Sequence, residues 1–244
     1  MSAGFSQEME NIYSAKVLID NTKVNMFRQM RLSAVAAELQ RCTSLHCDDL
    51  GIGAEKMRNN GLFWGLAEQH IRINRLPRPG EQIRIETWPK KHRYIVYPRT
   101  SRFVLEETGE VLLSSDALWT PVDFEKRNAV SLEKYGLSVP GESEEAFFGF
   151  AAFRTAEIRG MAAVRASFSM IDSNGHVNNA RYLDLCDDYV LSHNENSTPK
   201  EVLIEYRKEI RPDEVFALKW GDQDGLWYVT GETDGICFRI YLIY

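Results

Sequence analysis

The sequence predicts an α+β fold of two tandem units, each with one long helix packed against an antiparallel sheet. The segment RPGEQIRIETW at residues 78–88 resembles RPDEVFALKW at residues 211–220, with a gap of one residue. In both halves the predicted order is a strand, a helix and then several strands. A helix with an apolar stripe has to bury that stripe, and one face of an antiparallel sheet offers the surface for it.

The first unit is predicted to cover residues 1–137. Its first strand, SAKVLI, precedes a helix predicted for residues 31–46, in which Leu32, Val35 and Leu39 recur at helical spacing. The alternating segments that follow predict four strands: QHIRINRL, QIRIETW, RYIVYPRTSRFVLEE and EVLLSSDALWTPVD. The sequence EETGE at residues 106–110 predicts a hairpin turn between the last two.

A linker is predicted at residues 138–149, where SVPGESEEAFFG is acidic, rich in turn residues and without a period. The second unit then covers residues 150–244. Its strand AVRASFSM precedes a helix predicted for residues 178–193, with Tyr182, Cys186 and Val190 spaced four apart. The strands FALKWGD, LWYVTGET and ICFRIYLIY follow, and DQDG and TDG are the turns between them.

Composition narrows the class of protein. The chain has 244 residues and a formal net charge of -6, and this acidity is atypical of a nucleic-acid binder. No run reaches the roughly 18 apolar residues of a membrane helix, and the N-terminal stretch lacks a signal-peptide pattern. We therefore expect a cytoplasmic protein that binds neither nucleic acid nor membrane. A homodimer is one assembly that the sequence allows.

The cysteines and histidines do not predict a metal site. Four cysteines are spread thinly without a C-x-x-C pair, which is typical of a reducing compartment. The segment CTSLHC holds two thiols and His46, but it lies in a predicted helix and a second ligand cluster is missing. Neither a metal nor a cofactor is predicted. Four histidines are expected at the surface or at helix ends: His46, His70, His92 and His193.

The segment MIDSNGHVNNARY at residues 170–182 carries the clearest chemical signal. Asp172, Asn174 and His176 occupy alternate positions, and alternate residues of an extended strand point to the same side. An extended conformation would thus bring an acid, an amide and an imidazole together. Gly175 tolerates the positive φ of a turn into the following helix. Asn178 and its neighbour Asn179 are both suited to cap that helix.

Four motifs resemble those of the fatty acyl-ACP (acyl carrier protein) thioesterases: TWP at residues 87–89, SDALW at 115–119, D-x-N-x-H-V-N-N-x-x-Y at 172–182 and EYRKE at 205–209. The resemblance extends over most of the chain. It implies a double hot-dog fold, in which each sheet wraps around a long central helix. It also implies that the first unit forms the acyl-chain pocket and that the second holds the catalytic residues.

The resemblance implies that the protein hydrolyses the thioester of fatty acyl-ACP and releases free fatty acid. The implied catalytic set is Asp172, Asn174, His176 and Glu209. Thioester hydrolysis needs an activated water and a stabilised oxyanion, and both Asp172 and Glu209 are candidate bases. We favour Glu209 as the base. His176 and Asn174 would then hold water and substrate, while Asp172 orients them.

Two further sets of residues are predicted to contact the substrate and its carrier. Asn178, Asn179 and Tyr182 are assigned to substrate binding. The basic stretch WPKKHRYIVYPRTSR at residues 88–102 contains no acid, and its Lys90, Lys91 and Arg93 are predicted to dock an acidic acyl carrier protein. The alternative interpretation of this stretch is a solvated pair of strands.

One departure from the family bears on the mechanism. The plant enzymes resemble RREC where this chain has RKEI, so Ile210 replaces a cysteine once proposed as a nucleophile. Cys186 is expected on the packed face of its helix. Aligning the two prolines of the repeat places Leu76 opposite Glu209, which predicts that the first unit has lost the chemistry. Three alternatives remain open: an acyl-CoA thioesterase, a non-catalytic acyl-binding hot-dog protein and a hot-dog dehydratase.

Overall fold

A computed structural model describes residues 11–141, 157–190 and 198–244 of the chain. Ten antiparallel strands form one sheet. The first half contributes β1 (Tyr13–Leu18), β2 (Leu62–Ile73), β3 (Gln82–Pro89), β4 (Tyr97–Leu105) and β5 (Val111–Asp123). The second half contributes β6 (Ile158–Arg165), β7 (Glu201–Tyr206), β8 (Val215–Gln223), β9 (Leu226–Glu232) and β10 (Ile236–Ile243). The helices are α1 (Leu32–Asp49), α2 (Ala54–Asn59) and α3 (Arg181–Tyr189).

The strand order shows that the two halves are copies of one unit. The order is β1-β3-β4-β5-β2-β7-β10-β9-β8-β6. In each half, the first strand after the helix lies at the centre of the sheet and the strand before the helix lies at the outer edge. Strands β2 and β7 join the halves, with Glu68 opposite Glu205 and Arg72 opposite Glu201. The predicted α+β architecture of two tandem units is therefore confirmed.

The repeated Pro segments form the same turn in both halves. The backbone N–H of Arg78 donates to Glu81 Oε2 at 2.8 Å, and that of Arg211 donates to Glu214 Oε2 at 2.7 Å. Each turn also needs a positive φ, 90° at Gly80 and 66° at Asp213. Glycine and aspartate both tolerate this conformation, so the turn has the same shape in both halves although the residue differs.

The first helix packs as its spacing predicts. Leu32, Val35, Leu39 and Cys42 of α1 are buried in the main apolar core. The helix continues three residues beyond the predicted end, to Asp49. Its C-terminal turn is closed by a hydrogen bond from the Ile52 N–H to the Cys47 carbonyl, and the residue before Ile52 is a glycine with φ 72°.

The second helix is shorter at its N-terminus than predicted. It begins at Arg181, because Asn178 Oδ1 accepts the Ala180 N–H at 2.9 Å and closes a turn ahead of the helix. Neither Asn178 nor Asn179 caps α3, so that part of the prediction was wrong. The predicted end at residue 193 and most of the predicted linker lie outside the described residues. Cys186 is fully buried on the packed face, as expected.

Buried residues of α1 and α3 belong to one continuous apolar core. A second core under α2 is built from Met57, Leu62, Leu132 and neighbouring side chains. In the described part of the chain, no helix combines the length and the apolar character that spanning a bilayer requires.

Candidate active site

The segment that contains the predicted catalytic residues is a closed turn, where we expected an extended strand. Ile171 and Val177 form an isolated antiparallel bridge. Between them, the Asp172 N–H donates to the His176 carbonyl at 2.9 Å and the Gly175 N–H donates to the Asp172 carbonyl at 3.1 Å. Asp172 Oδ1 also accepts the Asn174 N–H at 2.8 Å, an Asx turn. The segment is therefore held by its own hydrogen bonds and does not adopt the extended conformation that the alternate spacing of Asp172, Asn174 and His176 suggested.

The turn still places the imidazole between two carboxylates. His176 Nδ1 lies 3.8 Å from Asp172 Oδ1, and His176 Nε2 lies 3.6 Å from Glu209 Oε1. Both separations exceed an ordinary hydrogen bond. Nε2 is buried and has no hydrogen-bond partner among the described residues. A buried polar atom of this kind normally meets a water or a ligand, so Nε2 faces the place where a reacting group can sit.

The segment after β7 brings Glu209 to this turn. Ile210 is fully buried, and its carbonyl accepts the Val177 N–H at 2.9 Å. This bond ties the two catalytic segments together and leaves the neighbouring Glu209 side chain about one-third exposed, at 31%. Ile210 itself is part of the core and supplies no nucleophile.

Arg127 completes the site, and the sequence analysis missed it. Its Nη1 lies 3.1 Å from Glu209 Oε1. Its guanidinium lies over the rings of Phe63 and Phe124, at 5.4 Å and 4.9 Å from their centroids. Arg127 comes from the turn after β5 in the first unit, where φ is 53°. Its sequence context, DFEKRNAV, is an ordinary polar turn, so no local signal points to the contact.

The predicted substrate-binding residues have mixed positions. Tyr182 is buried at 3% exposure and packs on Phe238 with ring centroids 4.3 Å apart. Burial raises the pKa of its phenol far above the usual range, so the group stays neutral. The Asn179 carbonyl accepts the Tyr206 hydroxyl at 3.2 Å. Asn179 and Tyr182 line the cleft that holds the catalytic turn, whereas Asn178 lines a second cavity.

Two cavities meet at the catalytic turn. A cleft of about 600 Å³ contains His176 and Glu209. A smaller cavity of about 220 Å³ extends into the first unit between α1, α2 and strands β2 to β5. Asp172 and Asn174 border both. Side chains that line the smaller cavity include Ile52, Leu62, Trp64, Tyr97 and Trp119. A reacting group in the cleft would therefore have space for an apolar tail in the first unit.

The first unit carries the same turn, with amide side chains at the positions of Asp172 and His176. The Asn25 N–H donates to the Gln29 carbonyl at 2.8 Å, as the Asp172 N–H does to His176. Gln29 therefore occupies the position of His176, and Arg28, with φ 60°, occupies that of Gly175. The Met30 N–H donates to the Pro77 carbonyl, which is equivalent to Ile210, and this places Leu76 at the position of Glu209.

The predicted carrier dock is only partly at the surface. Lys90 is buried, with 5% of its side chain exposed, and its Nζ lies 3.3 Å from Asp116 Oδ1. It cannot offer its charge to a partner, so the assignment of Lys90 was wrong. Lys90 directly follows the last residue of β3, its backbone N–H donates to the Pro98 carbonyl of β4 at 2.8 Å, and its side chain lies next to a buried carboxylate. Lys91 and Arg93 are exposed.

Two of the four histidines expected at the surface or at helix ends are buried and paired, and one of them, His46, does lie in the last turn of α1. His70 is 2% exposed and bonds Glu201 Oε2 at 2.7 Å across the junction between the units. His46 is 5% exposed and faces Arg99, with His46 Nδ1 2.9 Å from Arg99 Nη1. His92 is half-buried against Tyr97, and His193 lies outside the described residues. Among the described residues no cluster of three His, Cys, Asp or Glu side chains is placed to hold a metal.

Two hot-dog units joined edge to edge, with a cleft that opens into a cavity of the first unit, define a double hot-dog protein. The chain belongs to the acyl-ACP thioesterase family: the model of the N-terminal domain matches residues 10–136 and that of the C-terminal domain matches residues 155–233.

Two named relatives are distant in sequence. The dodecanoyl-[acyl-carrier-protein] hydrolase of Cinnamomum camphora is 24% identical over 84% of this chain and 58% of its own length. The oleoyl-acyl carrier protein thioesterase 2 of Arabidopsis thaliana is 22% identical over 88% and 62%. This chain thus spans about three fifths of the curated relatives it matches.

Two solved structures have the same fold. An acyl-ACP thioesterase from Bacteroides thetaiotaomicron has a TM-score of 0.80 at 18% identity, covering 97% of this chain and 98% of that one. The 12:0-ACP thioesterase from Umbellularia californica has a TM-score of 0.79 at 18% identity, covering 95% and 96%.

Proposed function

We propose that the protein hydrolyses the thioester of fatty acyl-ACP and releases a free fatty acid. The observation that carries this proposal is the position of His176 between Asp172 and Glu209, in a cleft that continues into a cavity of the first unit partly lined by apolar side chains. A thioester carbonyl in the cleft would have its acyl chain in the cavity and its carrier in solvent. Membership of the acyl-ACP thioesterase family supports the same chemistry.

In the proposed reaction a water attacks the thioester carbonyl directly. Glu209 takes a proton from the water as its oxygen bonds to the carbonyl carbon. His176 Nε2 and the Asn174 side chain face the reacting group and stabilise the charge that develops on the carbonyl oxygen. The carbon–sulfur bond then breaks, and the carrier thiolate takes the proton that Glu209 removed from the water, which restores the Glu209 carboxylate. No covalent enzyme intermediate is needed, since Ile210 offers no nucleophile and Cys186 is sealed in the core.

The geometry favours Glu209 over Asp172 as the base. Asp172 Oδ1 is engaged by the Asn174 N–H inside the turn, and that bond maintains the turn. Glu209 is more exposed to water, at 31% against 16% for Asp172. Arg127 contacts Glu209 from the other unit and is a positioning residue in this scheme.

The carrier is proposed to be acyl carrier protein, with coenzyme A as the alternative. Both present a thiol on a phosphopantetheine arm, and the cleft is lined by the cations Arg207, Lys208 and Arg211. Two of these cations are engaged, Arg207 with Glu205 and Lys208 with Asp234. A phosphate near them suits either carrier, so the cleft does not separate the two. Lys91 and Arg93 remain proposed contacts for an acidic protein carrier. The cytoplasmic location and a homodimer also remain predictions.

The test compares Glu209→Gln with the wild-type protein on one acyl group carried by acyl carrier protein and by coenzyme A. We expect the variant to lose about 10²-fold or more in kcat, since general-base catalysis contributes roughly 10²–10⁴-fold. Glu205→Gln is the matched control, because Glu205 is also half-buried and paired with arginine but lies outside the cleft.

Near-native turnover by a folded Glu209→Gln protein would remove Glu209 from the base role. A wild-type preference for acyl-CoA would favour the alternative carrier. Tight binding of acyl chains without turnover of either thioester would identify a non-catalytic acyl-binding protein instead.

A further inference from the structure

We infer that the cavity of the first unit selects acyl chains that carry an oxygen acceptor at their distal end, such as an ω-carboxylate, ω-hydroxyl or ω-oxo group. This inference rests on the proposed function, because it names the substrate class of the same site. It stands on one residue, Arg99 of β4, whose buried guanidinium lines the cavity of about 220 Å³.

Among the described residues, the guanidinium of Arg99 has no carboxylate partner. Arg99 is 5% exposed. In the described part of the chain, no carboxylate oxygen lies within 4.0 Å of a guanidinium nitrogen of Arg99, the distance that defines an ion pair. Its contacts are neutral side chains: Nη1 faces His46 Nδ1 at 2.9 Å and Thr87 Oγ1 at 3.2 Å, and Nη2 faces Cys47 Sγ at 3.9 Å.

The two titratable neighbours of Arg99 do not neutralise it. Burial, with the nearby charge of Arg99, lowers the pKa of His46 to about 4, so its imidazole is neutral near pH 7 and accepts a hydrogen bond at Nδ1. Burial raises the pKa of the Cys47 thiol, which therefore stays protonated. Burial also lowers the pKa of Arg99, but a guanidinium remains charged in proteins. Within residues 11–141, 157–190 and 198–244, one positive charge thus lies beside the cavity without a carboxylate to balance it.

A buried charge without a counter-charge is unfavourable, because no Coulombic attraction offsets its desolvation, and an anionic or polar ligand beside it would relieve that cost. A guanidinium has five N–H donors in a fixed fork, and the neighbours described above use only part of that capacity. A purely hydrocarbon tail would leave the remaining capacity unmet and would place a methyl group against a charge. A carboxylate would match the fork in charge and geometry, and a hydroxyl or oxo oxygen would accept one bond.

The rest of the cavity offers an acyl chain apolar surface beside polar side chains that include Gln40, Thr43 and Arg58. Ile52, Leu62 and Trp119 contribute apolar surface, while Asp172 and Asn174 border the cavity where it meets the catalytic turn. Arg99 therefore lies in the cavity of the first unit, and the thioester would lie in the cleft of the second. The distal end of the acyl chain is the part of the substrate that can meet the guanidinium.

The experiment measures kcat/KM for matched acyl-ACP substrates of equal chain length: the plain acyl group, its ω-hydroxy derivative and the half-thioester of the corresponding dicarboxylic acid. The set is repeated over a medium-chain series so that one length reaches Arg99. We expect the wild-type protein to prefer the oxygenated chain by about 10- to 100-fold at the best length. That range follows from the worth of a hydrogen bond to a charged group.

Arg99→Met should reverse the preference towards the plain chain, and Arg99→Lys should retain part of it. The control is Arg102→Met, on the same strand, since Arg102 lies over Trp88 and pairs with Glu86 away from the cavity. That control should leave the ratio unchanged. Thermal unfolding establishes that each variant is folded, and if Arg99→Met does not fold, the wild-type ratio alone decides.

Two outcomes would overturn the inference while leaving the thioesterase proposal intact. One is a wild-type preference for the plain chain at every length, and the other is a preference that a folded Arg99→Met protein retains. If no thioester is turned over, the proposed function fails, and the cavity is tested by binding of free acids. Quenching of Trp64 and Trp119 should then show tighter binding of the dicarboxylic acid, and equal or weaker binding would refute the inference.

Discussion

Asp187 on α3 should make the folded protein more stable in mild acid than above neutral pH. Both of its carboxylate oxygens are buried and lack a hydrogen-bond partner among the described residues. Burial, with repulsion from Asp184 and Asp188, raises the pKa of Asp187 to about 7, although Arg31 acts in the opposite direction. In the unfolded chain an aspartate titrates near 3.9.

The sign and the size of the effect follow from this difference. The folded protein holds the Asp187 proton more tightly than the unfolded chain, so the stabilising contribution is complete below about pH 4. It is lost as the pH rises through about 7. A difference of about three pKa units at 1.36 kcal/mol each corresponds to up to about 4 kcal/mol. Asp187→Asn carries no charge at any of these pH values and should therefore be up to that much more stable than wild type at about pH 8.

The assay is urea unfolding followed by tryptophan fluorescence at about pH 5 and about pH 8. For each protein we take the change in the free energy of unfolding between the two pH values, and we then subtract the value of the variant from that of the wild type. Titrating groups that the two proteins share contribute equally to both values and cancel in this difference. For a chain of this length the same effect should raise the melting temperature of the variant by about 5–15 °C at pH 8.

The matched control for this assay is Asp49→Asn, at an exposed position at the end of α1. It should track the wild-type protein at both pH values. Equal pH dependence in wild type and Asp187→Asn would refute the reasoning. It would mean that Asp187 finds solvent or a cationic partner in solution.

Two predictions concern the proposed site. Arg127→Met should lower kcat about tenfold with little change in KM, because Glu209 loses the donor that positions it. Small errors in the position of a catalytic group cost about one to two orders of magnitude in rate. An unchanged kcat would show that Glu209 is held in place without Arg127. Reversing Lys91 and Arg93 to Glu should lower kcat/KM on acyl-ACP and weaken its salt dependence, while a small neutral thioester is hydrolysed as before. If both substrates slow equally, the two cations support the fold and do not contact a carrier.

The elements of the fold and the catalytic motif could be predicted because their signals are local. Helical spacing in α1, strand alternation and the repeated Pro turn are properties of neighbouring residues, and each half of the chain repeats them. The equivalence of Leu76 and Glu209 followed from aligning two prolines, and the hydrogen bonds of Pro77 and Ile210 agree with it. His176 and its neighbours could be singled out because a motif places them within a few residues of one another.

Only the tertiary structure decided which charges meet. Lys90 has the sequence context of a surface cation, yet the pairing of β3, β4 and β5 turns it towards Asp116. Arg127 contacts Glu209 from 82 residues away, through a junction of β2 with β7 that no local period encodes. The same holds for Arg99, since the packing of β4 against α1 and β3 gives it the neutral contacts His46, Cys47 and Thr87 and no carboxylate among the described residues. Sequence patterns report the period and polarity of a segment, whereas the partner of a buried charge depends on which strands pair and in which register.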